Sequence, residues 1–496
     1  MNLRFILSLS IILFTSALSY SQSRIKGDSL IAGELLLQDL AFVKEKILET
    51  HQSPFMYTSE ASFEEAMHQA ALLCSTGLNY YQFSRVLART LKVLKDSHTY
   101  VDYKSLIDPY TNAGGYYLPF TIYSIDDKLY CVKDELDVID KGSRITRIAG
   151  LSAEKCADVV LEYAVTEGNS IHGERRIRDG IFNAILPTYL QIDSICEICF
   201  IPPGSTDTLC ANYSAMTRDE IKAMRKQENK DLKGNRFIKK HGAVYKFEII
   251  DSLDLGILRI GSFTYGKGST YQKFLKKSFK QAKKEKLEHL VIDLRDNTGG
   301  KSNRAELLLS YLAPGKINLP ANIIAKQSPT AQERNNKSFK GFNKFMLNHV
   351  MRKNEEVENY LSMIHLPNGE VDTLYYREPH STSKWKYGGE LFLWMNGRSA
   401  SASVNTAACF RREGLGLILG EPCLGPETGT WGNPSQIKLP NTGLAINLST
   451  IRFNADNSFR TILEPVQPDI WIDWTPQDLQ LEEDPFRKSI LNLLKD

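Results

Sequence analysis

Apolar residues recur at helical spacing along the first hundred positions. Leu36, Leu40, Val43 and Ile47 follow one another at intervals of 4, 3 and 4, which puts them on one face of a helix within residues 28–50. A second helix is expected to start at Ser62, with Glu65 completing a capping box. A third runs from about Asn79, with Phe83, Leu87, Leu91 and Leu94 on one stripe, and ends at the polar turn Asp96-Ser97-His98-Thr99. Beyond residue 113 strand-like runs appear at 118–124, 128–133, 143–148 and 194–201, punctuated by Gly114-Gly115, Asp126-Asp127 and Gly150. From residue 246 the pattern becomes α/β. Leu290 to Leu294 is a nearly continuous apolar run, as a strand buried on both faces requires. A glycine turn and a helix at about 302–313 follow it. Glu390 to Met395 reads as a strand, 399–412 as a helix and Leu415 to Gly420 as the next strand, a crossover unit. Residues 443–453 alternate and read as one further strand.

The fold class this implies is a multidomain mixture of α and β. It comprises a signal segment at 1–21, a helical unit at 22–112, a mainly β module at 113–214, a charged connector at 215–245 and an α/β core at 246–496. Residues 328–388 are polar, break the α/β rhythm and read as an insertion near the site, a candidate lid. Residues 1–21 join a basic start at Arg4, an apolar stretch from Phe5 to Phe14 and small residues at Ser16, Ala17, Ser19 and Ser21. That is the pattern of a secretory signal peptide, so the protein is expected to be exported, to the periplasm or the medium. The apolar stretch is shorter than the ~20 residues of a membrane span.

Composition narrows the partners. Lys and Arg number 61 against 58 Asp and Glu, a net charge of +3, which gives no support to a nucleic-acid binder. Eight cysteines in 496 residues are too few for a disulfide scaffold. Cys196 and Cys199 form the one close pair. With no second pair and no histidine at ligand spacing, a zinc site is not indicated, while a disulfide involving Cys196, Cys199 or Cys210 is open.

Three short segments carry chemistry. Gly397-Arg398-Ser399-Ala400-Ser401-Ala402-Ser403 lies between a strand and a helix, where free N–H groups and the helix dipole favour a developing oxyanion. Serine is also the common helix cap, so this feature alone is weak. Asp293-Leu294-Arg295-Asp296-Asn297-Thr298-Gly299-Gly300 is a strand ending in a glycine turn that can aim N–H groups into a site. Lys301-Ser302 after it does not make a phosphate loop, because Arg295 stands where that motif needs a glycine. The third segment is the histidine turn at 96–99.

In this order and at these intervals the segments resemble the serine peptidases of the C-terminal processing (tail-specific) and tricorn-core type. The resemblance covers most of the chain after residue 21. It includes Asp96-Ser97-His98-Thr99, Leu118-Pro119-Phe120 and 142–150 as a PDZ-like module, 292–300, Ser-Ala-Ser within 399–403, Gly420-Glu421-Pro422 and Pro468-Asp469-Ile470. It implies a ClpP/crotonase-like catalytic core with Ser401 as nucleophile, and an oxyanion hole from the N–H of Ala402 with that of Gly299 or Gly300. It also implies peptide binding at Leu118, Pro119 and Phe120, a polypeptide substrate taken by its C-terminus, and no metal or other cofactor. Two departures matter. The processing peptidases carry a catalytic Lys about 25 residues after the serine, but no Lys lies between Lys386 and Lys438, and Val404 stands where a Glu is common. The tricorn-like pattern fits better: His98 as base, with Ser97 passing it the influence of an acid. Glu464 is the preferred acid, with Asp456 and Glu427 as alternatives. The missing Lys keeps a second reading alive, a non-catalytic protein of the same fold that binds peptides or small lipophiles.

Overall fold

The computed structural model describes residues 27, 29–231, 244–317, 319–338, 366–375 and 382–495. The signal segment therefore lies outside the described residues, as do parts of the connector and of the 328–388 insertion.

Helices α1 (Gly33–Thr50), α2 (Glu60–Cys74) and α3 (Tyr80–Lys92) open the chain. The stripe Leu36, Leu40, Val43 and Ile47 is fully buried, as its spacing requires. α2 begins two residues before the expected start. Its cap is Ser59, whose hydroxyl accepts the N–H of Ser62 at 3.0 Å, so Ser62 sits inside the first turn. α3 has the fuller capping box, Asn79 with Gln82. After the histidine turn come β1 (Tyr100–Val101), α4 (Tyr103–Asn112) and β2 (Tyr116–Tyr117).

The next unit is antiparallel. β3 (Phe120–Ile125), β4 (Lys128–Asp134), β5 (Arg144–Ile148), β7 (Ile195–Ile201) and β8 (Leu209–Ser214) lie side by side in that order, with β6 (Leu151–Ser152) hairpinned onto β5. α5 (Ala153–Leu161) and α6 (Ile171–Leu190) are inserted between β6 and β7, and α6 packs on the edge strand β3. Cys199 and Cys210 are paired in register on β7 and β8 and joined by a disulfide, whereas Cys196 is a buried free thiol. β9 (Met216–Thr217) and α7 (Arg218–Asp231) lead away. Helices α1 to α3 and this sheet share one apolar core, from Leu36 to Tyr213, which also takes in Leu444, Ile446 and Leu448 from near the C-terminus.

The core sheet has the order β10 (Tyr245–Ile250), β11 (Leu255–Ile260), β12 (His289–Asp293), β15 (Glu390–Met395), β16 (Leu417–Gly420), β21 (Ile470–Trp471). All neighbours are parallel except β10, an antiparallel edge. Leu290, Val291 and Ile292 are at most 1 % exposed, so β12 is covered on both faces. α8 (Gly268–Lys284), α9 (Ser302–Leu309) and α11 (Ala402–Arg412) connect the strands, and α10 (Pro329–Ser338) follows β13 (Asn322–Lys326).

Two further sheets flank this core. The alternating run 443–453 is two strands rather than one. β19 (Ala445–Leu448) joins β1 and β18 (Ser435–Lys438), while β20 (Ile451–Asn454) joins β13, β14 (Val371–Tyr375) and β17 (Gly429–Gly432). The chain changes sheets at Ser449-Thr450, which the two-residue alternation does not record. β14 places part of the expected insertion inside regular structure.

Candidate functional site

His98 and Ser401 stand about three hundred residues apart in sequence and line one cavity of about 430 Å³. The strand pair β1–β19 brings them together. Directly after the histidine turn, Tyr100 pairs with Asn447 and Val101 with Ile446, and Asp102 N–H donates to Ala445 O at 2.9 Å. Thr99 Oγ1 accepts the N–H of Ser449 at 3.2 Å, so the turn is fastened to the core on both sides of the strand.

The turn is rigid from within. Asp96, buried, accepts the N–H of His98 at 2.9 Å, and its other oxygen lies 3.1 Å from His51 Nε2. Burial works against ionisation of Asp96, but the His51 hydrogen bond and the two imidazoles outweigh it and hold the carboxyl below its ordinary value. His98 Nδ1 is 3.0 Å from Ser97 Oγ, and Ser97 Oγ donates to Glu167 Oε2 at 2.8 Å. A hydroxyl has one proton. With that proton on Glu167, Nδ1 must be the N–H donor to Ser97, which leaves the Nε2 lone pair of His98 free. Burial lowers the pKa of His98, only partly offset by Asp96, so the neutral ring is favoured.

The carboxylate that Ser97 meets is that of Glu167, not that of Glu464, Asp456 or Glu427. Glu167 lies in the loop between α5 and α6 and is 0 % exposed. Oε1 accepts the N–H of Trp431 at 2.8 Å and Arg452 Nη1 at 3.2 Å, and Oε2 also accepts the N–H of Ser97 at 3.3 Å. Burial and the Asp96 charge push its pKa up, against Arg452. None of its hydrogen-bond partners is an obligate acceptor, so the geometry suits the carboxylate. Glu464 instead accepts Asn169 Nδ2 at 3.4 Å, and Asp456 caps Ser458 and meets Arg460. Glu427 lies 3.9 Å from Arg460. None of the three reaches Ser97. Glu167 is one acidic residue among 58, in a loop with no periodic or motif signal, and nothing in its spacing singles it out.

Ser401 occupies the N-cap position of α11 but its hydroxyl does not cap the helix. It has φ 52° and ψ −116°, a strained conformation for a residue with a Cβ, and its Oγ makes no hydrogen bond among the described residues. Ala402, next in the chain, has an N–H with no partner among the described residues at the head of the helix. The opposite wall is the turn after β12. Gly299 has φ 92°, and a Cβ there would lie 2.6 Å from Ala400 O and 2.7 Å from Ser401 Cβ. Its N–H, however, donates to Asn297 Oδ1 at 2.9 Å, so it is already engaged. The N–H of Gly300 has no partner among the described residues, so Gly300 and Ala402 both offer a free donor among the cavity-lining residues. Ser401 Oγ and His98 Nε2 share the cavity without a direct hydrogen bond, as free enzymes often show before substrate closes the geometry.

A second cavity, of about 440 Å³, lies between β3 and α6. Leu118 and Pro119 line it, but Phe120 does not. Its ring packs edge-on against Tyr213 at 5.6 Å, inside the core. Arg398, three residues before Ser401, reaches this cavity and lies against Gly180, where a Cβ would come within 3.0 Å of its Cζ.

Residues 254–472 match the family model of peptidase family S41. Mature CPAF has the same fold with a TM-score of 0.64 at 14% identity, over 93% of this chain and 97% of that one. CPAF complexed with lactacystin gives 0.63 at 14% identity, over 93% and 98%. No curated protein matches by sequence. No helix among the described residues is long and apolar enough to cross a membrane. The fold shared with CPAF spans nearly the whole of both chains, and the match to peptidase family S41 covers the parallel core.

Proposed function

We propose that the protein is an exported, tail-processing serine peptidase in which Ser401 attacks the peptide carbonyl and His98 is its base. The observation that carries this is the convergence in one cavity of an uncapped, strained serine and a histidine whose Nδ1 is occupied by the Ser97–Glu167 relay. A serine hydroxyl needs a base to attack. Nε2 of neutral His98 takes the Ser401 proton as Oγ bonds to the carbonyl carbon. The N–H groups of Gly300 and Ala402 stabilise the oxyanion. His98 then returns the proton to the leaving amine, and water releases the acyl group by the same route. The reaction as written needs no metal or cofactor. The 1–21 pattern and the Cys199–Cys210 disulfide support export.

The antiparallel unit acts as a PDZ-like receptor for the substrate's chain end. In support, β3 is an edge strand beside a helix, and the cavity between them joins Leu118 and Pro119 to Arg398, whose guanidinium has no partner among the described residues. An extended peptide can add to such an edge. Peptides ending in a carboxylate should therefore be cleaved faster than their amides.

The test is labelling by a fluorophosphonate, read by mass spectrometry. Ser401 is the expected site, and Ser401→Ala should abolish labelling in a folded protein. A folded wild-type protein left unlabelled across pH 6–9 would instead support the peptide-binding reading on the same fold.

A further inference from the structure

Residues 167–176 form the end of the α5–α6 loop and the first turns of α6. Their first member, Glu167, backs His98 through Ser97. Their last, Arg176, reaches the other half of the site. It is 4 % exposed, and its Nε donates to both oxygens of Glu421 at 3.0 Å. Nη1 donates to Ser124 O at 2.8 Å and to Asp179 at 3.1 Å, and the Tyr123 ring lies 3.6 Å beneath the guanidinium. Glu421, at the end of β16, accepts the N–H of Gly397 on Oε2 at 3.2 Å. Gly397 opens the loop that ends at Ser401. A Cβ on it would lie 2.5 Å from His172 O, so the loop is pressed directly on α6. Between Gly397 and Ser401 the backbone has little slack: Ser399 N–H donates to Asn396 O at 2.8 Å, Ala400 N–H to Asn297 O at 3.0 Å, and Ser399 Oγ to Leu294 O at 2.9 Å.

The geometry points to Arg176, acting through Glu421, as a positioning residue for the nucleophile loop, so that one segment of the antiparallel unit sets both Ser401 and His98. The inference rests on the peptidase reading of Ser401. Gly397 and Ser401 lie four residues apart in one tight turn, closed by Ser399 N–H donating to Asn396 O, so a displacement of Gly397 is carried along the turn toward Ser401. Removing Arg176 leaves Glu421 as an uncompensated buried charge, which will seek water and release Gly397. The base is left alone, because no bond from Arg176 reaches the relay.

The experiment is the saturation kinetics of fluorophosphonate labelling, which separates the maximal rate from the half-saturating concentration. Arg176→Met should lower the maximal rate roughly tenfold to a hundredfold, the loss that a small misplacement of a reacting group causes. The half-saturating concentration and the acid limb of the pH profile should stay in place. Glu421→Gln, which keeps the shape and an oxygen for Gly397, should lose less. The double variant should be no slower than Arg176→Met, because both act through one contact. Should Arg176→Met not fold, Arg176→Lys keeps the charge, loses the forked geometry and carries the same comparison. A wild-type maximal rate in these variants, a change confined to the half-saturating concentration, or losses that multiply in the double would overturn the inference while labelling of Ser401 left the peptidase reading standing. Absence of wild-type labelling would remove both.

Discussion

At the scale of single residues the site depends on which proton sits where. Ser97 can pass on the influence of Glu167 only while its hydroxyl points at the carboxylate and accepts from Nδ1. Glu167→Gln keeps the volume but offers an amide, which can donate to Ser97 and reverse the chain. Nδ1 would then accept, and the proton would move to Nε2, where it blocks attack. The expected outcome is a labelling rate lower by roughly a hundredfold or more, with Glu464→Gln at the wild-type rate. Equal losses in the two variants would return the acid to Glu464. The pH dependence has a definite sign. Burial places the folded pKa of His98 below 6.5, and protonation removes the base. The rate should therefore fall in acid along a limb whose midpoint lies below pH 6.5. A midpoint above 6.5 would mean that His98 is not the titrating group.

At the scale of elements, the turn after β12 is built for glycine at one point above all. Gly300 has φ 132°, and a Cβ there would meet Thr264 Oγ1 at 2.2 Å and the Phe263 carbonyl carbon at 2.7 Å. Phe263 cannot withdraw, because its N–H donates to Gly299 O at 3.0 Å and its carbonyl accepts Lys301 N–H at 3.3 Å. Gly300→Ala should cost at least 1–3 kcal/mol of order, the scale of forced backbone strain, seen as a lower denaturant midpoint. It should also slow labelling, since this N–H is one of the donors proposed for the oxyanion. Gly315→Ala, with nothing within 4 Å of its Cβ, should shift the midpoint little. Elements of this kind were legible in the sequence because burial and tight-turn geometry constrain local composition: the buried run of β12, the glycines after it and the serine after β15. The histidine turn was legible for the same reason. Glu167 was not, because its position comes from the α5–α6 loop folding back on residues seventy positions earlier. Nor was the split of 443–453, because alternation reports side-chain direction and not which sheet a strand joins. The N–H of Gly299 donates to Asn297 Oδ1, a bond that no spacing rule foretells.

At the scale of the whole molecule, Arg452 joins three parts of the chain. It projects from β20, donates to Tyr57 Oη at 2.6 Å beside α2 and to Glu167 Oε1 at 3.2 Å in the antiparallel unit, and lies 5.4 Å from the Trp431 ring of β17. Both it and Glu167 are at most 1 % exposed. Arg452→Met preserves much of the packing but leaves Glu167 a buried carboxylate without its counter-charge. The loss should be about 3–5 kcal/mol near pH 8, the usual consequence of breaking a buried pair on one side. That loss should shrink in acid. The folded pKa of Glu167 is already raised by burial and Asp96, and without Arg452 it rises further. Its penalty is therefore absent below the unfolded value of about 4.5, grows as the pH climbs from there to the folded value, and is complete above it. Denaturant unfolding of wild type and variant at pH 5 and pH 8 measures the difference directly. A gap that widens toward pH 8 identifies Glu167 as the charge Arg452 holds, whereas a gap independent of pH would reduce Arg452 to a packing residue. Labelling should fall with the same variant, because the carboxylate that Arg452 meets is the one hydrogen-bonded to Ser97 beside His98.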